Sequence, residues 1–197
     1  MEPRDLDRTL RRLASGGWLA GARRFAVSLR AAGHEPGRLL VVGTREDEPW
    51  HLTAHLADAA RWQGAASLQP VLVRWQVPPG APPHLSVGVD AVHRARRGTT
   101  LLVAAPSTAD DCLLERLEDA RRGGATVFAL HAGSAPLEEL AHEALLLPDL
   151  GRLPLGQSLD TATHVVSMAG TPEPGRRIRR WWPRPDQDEP VKHGPNG

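Results

Sequence analysis

Three side chains near the middle of the chain are spaced for metal chemistry. His51, His55 and Asp58 fall at i, i+4 and i+7, one stripe of a helix, and two imidazoles with a carboxylate on such a stripe suit zinc. Trp62 extends the stripe beside a Leu52, Leu56, Ala59 face, so packing on a neighbour or a second subunit is the reading preferred here. No metal and no cofactor is expected. Cys112 falls in the first turn of a predicted helix, where the helix dipole lowers a thiol pKa. No nearby pattern supplies it with a base, so it reads as a small packed residue. Residues 176–182 interleave four arginines with Trp181 and Trp182. Such a run suits RNA stacking, but Glu173, Asp186, Asp188 and Glu189 flank it. Docking of the two tryptophans on the body or a partner subunit is expected instead.

The elements that must position these residues change period along the chain. Leu6, Leu10 and Leu13, then Trp18, Ala22, Phe25, Ala26 and Leu29, repeat at helical spacing. They form two N-terminal helices over 1–35, packed on the domain or on a dimer partner. Short apolar runs then predict strands buried on both faces at 39–42, 71–73, 99–105, 126–130 and 145–147. Between them, helices are predicted over 49–63, 87–95, 109–122 and 136–143, with a last one over 159–169. Pro49 suits a first helical turn and Gly123-Gly124 a helix stop. Strands alternating with helices at this spacing require a parallel, three-layer, doubly wound α/β sheet. The domain is expected over 36–170, followed by a tail rich in Pro, Arg and Trp over 171–197.

Bulk composition narrows the function classes. A chain of 197 residues holds one domain with a sizeable core. The net charge of +1 gives no reason to expect nucleic acid or an anionic membrane as partner. One cysteine forms no internal disulfide, so a reducing cytoplasm is expected. No apolar run approaches the roughly 20 residues that span a bilayer, and the acidic residues 1–7 are not expected to act as a signal peptide.

The segment Gly123-Gly124-Ala125-Thr126-Val127-Phe128-Ala129-Leu130, continuing through Ser134-Ala135-Pro136-Leu137-Glu138-Glu139-Leu140-Ala141 to Leu145-Leu146-Leu147-Pro148, resembles the sugar isomerase (SIS) family of phosphosugar-binding domains. Within it, the phosphoheptose isomerase type is the nearest. The stretch from Leu159 to Val166 is similar to the helix that follows in that family. The resemblance runs over 38–170 and is best over 101–148. It implies a flavodoxin-like strand order, 2-1-3-4-5, a homodimer, and a carbohydrate derivative as ligand. In such sheets the ligand lies beyond the carboxyl ends of the strands, where the order reverses. That locates a site between loops 43–48 and 106–111.

Members of the family cradle a phosphate with Ser and Thr hydroxyls and backbone N–H groups at a helix N-terminus. The resemblance therefore implies ligand binding by Gly43, Thr44, Arg45, Ser107 and Thr108. For an isomerase, it implies a general base, Glu48 or His131. Both also read plainly as a first-turn helix charge and a strand-end polar residue. The loops depart from the family in lacking tight glycines and in carrying Glu46, Asp47, Glu48, Asp110 and Asp111. Each would repel a phosphate about 6 Å away by roughly 2–3 kcal/mol at an effective dielectric near 20. Three readings stay open. The carboxylates cap helices and face solvent, they select a cationic or amino-bearing ligand or Mg²⁺, or the hydroxyls bind a phosphosugar despite them. The function expected is binding of a sugar phosphate or other carbohydrate derivative, with or without isomerase catalysis. A scaffold acting through protein contacts is the third reading.

Overall fold

A computed structural model describes residues 17–32, 37–62, 64 and 66–148 of the chain. The helices expected around 6–13 and over 159–169, and the tail expected over 171–197, lie outside the described residues. Within them the order is α1 (Trp18–Ala32), β1 (Leu39–Gly43), α2 (Trp50–Trp62), β2 (Pro70–Val73), α3 (Asp90–His93), β3 (Thr100–Ala105), α4 (Asp111–Arg122), β4 (Thr126–His131), α5 (Ala135–Leu140) and β5 (Glu143–Leu146). Single 3-10 turns at Ala66–Leu68 and Pro83–Leu85 flank β2.

All five strands run parallel, in the order β2-β1-β3-β4-β5. Because side chains alternate across a strand, each apolar run feeds two cores. Leu39 and Val41 of β1 face Phe25 and Leu29 of α1 and Leu52 and Leu56 of α2. Leu40 and Val42 face the other layer, with Val92 of α3, Leu113 and Leu117 of α4, and Leu137 of α5. Helices therefore cover both faces, which is why the strand runs could be apolar throughout. Phe25 meets Phe128 edge to face, ring centres 5.4 Å apart. The sheet grows outward in opposite directions from β1, so the order reverses between β1 and β3 and opens a crevice at their carboxyl ends.

The helix predicted over 87–95 is one turn, Asp90–His93. Gly88 is spent on an isolated parallel bridge to Arg74, and Arg74 N–H donates to the Val87 carbonyl. The helix predicted over 136–143 stops at Leu140. Its last residues are recruited by β4 instead, with Phe128 in register with Glu143 and His142 Nδ1 accepting from the Val127 N–H at 3.0 Å. The remaining boundaries move by one or two residues. Helix α4 starts at Asp111 because Asp110 is its cap, accepting from the Leu113 N–H at 2.7 Å. Helix α1 lies on the sheet of its own chain, and Trp18 Nε1 donates to the Leu146 carbonyl at 2.8 Å. Among the described residues no helix is long and apolar enough to cross a membrane.

Candidate functional site at the carboxyl edge

The loop leaving β1 folds back on its own start. A Cβ placed on Gly43 would lie 1.8 Å from the Asp47 carbonyl oxygen and 2.7 Å from Pro49 Cδ. Only glycine admits that approach. The turn brings the Asp47 carboxylate over the β1/β3 crevice, where Thr44 and Ser107 meet with their hydroxyl oxygens 3.2 Å apart. Ser107 Oγ donates to Asp47 Oδ2 at 3.1 Å, and Thr44 Oγ1 reaches the same oxygen at 3.4 Å. Thr44 is 2% exposed. Each hydroxyl has one proton, and whichever way Thr44 directs its own, the donation ends on Asp47.

Open space flanks this closed cluster on both sides. One cleft, ≈ 540 Å³, is lined by Arg45, Glu48, Arg74, Trp75, Gln76 and Val77 among others. Its walls are mutually engaged. Arg74 Nε donates to Glu48 Oε2 at 3.2 Å, the Trp75 N–H reaches Glu48 Oε1 at 3.3 Å, and Trp75 Nε1 donates to the Gly43 carbonyl at 3.0 Å. The Arg45 guanidinium stands 4.8 Å over the Trp75 ring and Arg74 the same distance over Trp50. Arg45 also pairs with Asp110 at 3.6 Å, across the crevice.

The second cleft, ≈ 460 Å³, lies between the loops after β3 and β4. Ser107, Thr108 and Ser134 bring three hydroxyls to it and Asp111 a carboxylate, above a lining of Ala, Pro, Gly and Leu114. Below its rim, His131 is 2% exposed. Its Nδ1 accepts from the N–H groups of Gly133 and Ser134 at 3.2 and 3.1 Å. A ring nitrogen that accepts two amide protons carries none itself, so the imidazole is neutral with its proton on Nε2. Burial lowers its pKa, and Glu138 opposes the shift only in part.

The structure thus brings Gly43, Thr44, Arg45, Glu48 and Ser107 to one edge, with Thr108 lining the second cleft and His131 buried, hydrogen-bonded to the cleft residues Gly133 and Ser134 without lining it. Sequence reasoning did not single out Arg74, Trp75 or Ser134. All three lie within three residues of a strand end, of β2 or β4, to which the strand-end rule applies as it does to β1 and β3. The His51, His55, Asp58 stripe runs along α2, whose last residue, Trp62, is 89% exposed in the single chain. Among the described residues no three His, Cys, Asp or Glu side chains gather as a metal site. The Cys112 thiol is contacted by the Arg116 guanidinium one turn on.

No protein-family model matches the chain, and no curated protein does. Solved structures do. The sugar isomerase domain of an RpiR transcription factor from Sphaerobacter thermophilus superposes with a TM-score of 0.51 over 85% of this chain and 87% of that one, at 14% identity. The fold is that of a sugar isomerase (SIS) domain. A protein provisionally assigned as a phosphosugar isomerase, from Silicibacter pomeroyi DSS-3, gives a TM-score of 0.53 at 19% identity. There the SIS-fold chain covers 85% of its own length but 49% of the other's, about half of that structure. At these identities the likeness concerns the SIS scaffold, and the chemistry of the site has to be argued from the residues above.

Proposed function

We propose that this SIS-fold domain binds a carbohydrate derivative at the carboxyl edge of its sheet and does not transform it, working in the cytoplasm as a dimer. The observation that carries the reading is the lining of the β3/β4 cleft. Three uncharged hydroxyls and one carboxylate above a small apolar lining offer both donors and acceptors to a polyhydroxylated ring. Binding is favoured over isomerisation because the two residues expected as bases are both held by hydrogen bonds within the fold. Both carboxylate oxygens of Glu48 accept hydrogen bonds from within the chain, and the only basic nitrogen of His131 is turned into the protein. A general base must have its lone pair within reach of the proton it removes. The names of the SIS-fold neighbours, a sugar isomerase domain and a phosphosugar isomerase, support the ligand class.

The test is calorimetry with neutral sugars, amino sugars and sugar phosphates, combined with proton–deuterium exchange on each. Saturable binding of at least one sugar, weakened about tenfold or more in Ser107→Ala/Thr108→Ala, without exchange of sugar C–H protons, is the expected result. Exchange at a sugar carbon would revive catalysis, and no binding across the panel would sink the reading.

A further inference from the structure

The hydroxyls of Thr44 and Ser107 converge from two different loops on a single point above the β1/β3 crevice. Two donors focused on one oxygen are an arrangement that suits an anion. The chain has placed its own anion there. Asp47 Oδ2 is the common acceptor, and the carboxylate is held from the main chain outward, since the Asp47 carbonyl is packed against Gly43 closely enough to exclude any side chain at that position. Neither hydroxyl retains a proton for an incoming ligand, and an incoming anion would meet a carboxylate at contact distance. The guanidinium of Arg45, in the same loop, is directed to Asp110 and the Trp75 ring.

We infer that Asp47 is a specificity-determining residue: it fills the anion position of the β1/β3 crevice, so that the domain takes its sugar without a phosphate. The inference rests on the binding role proposed above for the edge, but it concerns the crevice and has its own probe. Neutral and amino-bearing rings are accepted in the flanking β3/β4 cleft, where Ser107, its proton committed to Asp47, presents a lone pair. A phosphate group is rejected both by charge and because its donors are taken.

Inorganic phosphate is the probe. Titrated calorimetrically into the full chain, it gives no saturable binding up to about 10 mM. Asp47→Ala frees both donors and removes the charge, and its affinity for inorganic phosphate rises about tenfold or more. Asp47→Asn removes the charge while keeping an acceptor in place, and gains less. It also decides the matter if the alanine variant fails to fold. A folded variant with no gain in phosphate affinity overturns the inference. So does a wild-type chain that binds phosphate below about 1 mM, or prefers a sugar phosphate to its parent sugar. A chain that binds no sugar, yet gains phosphate affinity on loss of Asp47, overturns the proposed function alone.

Discussion

At the scale of single residues, the site is defined less by which groups are present than by what each is already doing. Glu48 and His131 are the residue types that proton transfer needs, at strand ends where it would be needed. Glu48 instead joins the β1 loop to the end of β2 through Arg74 and the Trp75 N–H, and His131 ties down the turn after β4. The histidine has a measurable consequence. Burial lowers its pKa from the ordinary value of 6.5, so as pH falls through that value the unfolded chain takes up a proton that the folded chain refuses. The unfolded state then binds more protons, and stability falls. Above 6.5 the contribution of the neutral ring is complete; it is lost between 6.5 and the lowered folded pKa. An asparagine at this position keeps an oxygen acceptor for the two amides but does not titrate. Urea unfolding at several values between about pH 5 and 8 should show a shallower loss of stability on acidification in His131→Asn than in wild type. Equal slopes would mean that another group carries the dependence.

At the scale of elements, the strands were the legible part of the sequence, because a strand covered on both faces has to be apolar at consecutive positions, as in Leu39-Leu40-Val41-Val42. β5 was the least well read. It is an edge strand, and Glu143 and Ala144 are only half-buried, so its start lacks the signal that marks the inner strands. The short α3 was overestimated because nothing local announces that Gly88 is drawn to Arg74. The same limit applies to the site. Thr44 and Ser107 were legible as polar residues in the right loops, whereas the use of both by Asp47 depends on a turn whose tightness is a property of packing. Gly43→Ala tests that turn. The added methyl meets a backbone carbonyl, so the loop must move or the strand end must give, at a cost of about 1–3 kcal/mol. A urea midpoint unchanged from wild type would show the turn to be looser than described.

At the scale of the whole molecule, two faces of helices around a parallel sheet leave the loops at one edge as the place where ligand chemistry can vary without disturbing the core. The dimer proposed above belongs to this scale. The end of α2 presents Trp62 almost wholly to solvent, and large aromatic side chains of this sort anchor the centres of protein interfaces. Sedimentation equilibrium at micromolar concentration should return twice the mass of one chain, and Trp62→Ser should lower the dimer fraction. A monomer in the wild type would remove the dimer from the proposal.

The stack of Arg45 on Trp75 has a further consequence, an optical one. The indole forms part of the ≈ 540 Å³ cleft with a guanidinium above its face and its N–H held by the Gly43 carbonyl. Any occupant that draws Arg45 away, or any change that loosens the β1 turn, alters the polarity and charge around that ring. Trp75 is one of six tryptophans, so in a variant that keeps Trp75 alone the wavelength and quenching of its emission would record changes at Arg45 and the β1 turn without an added label.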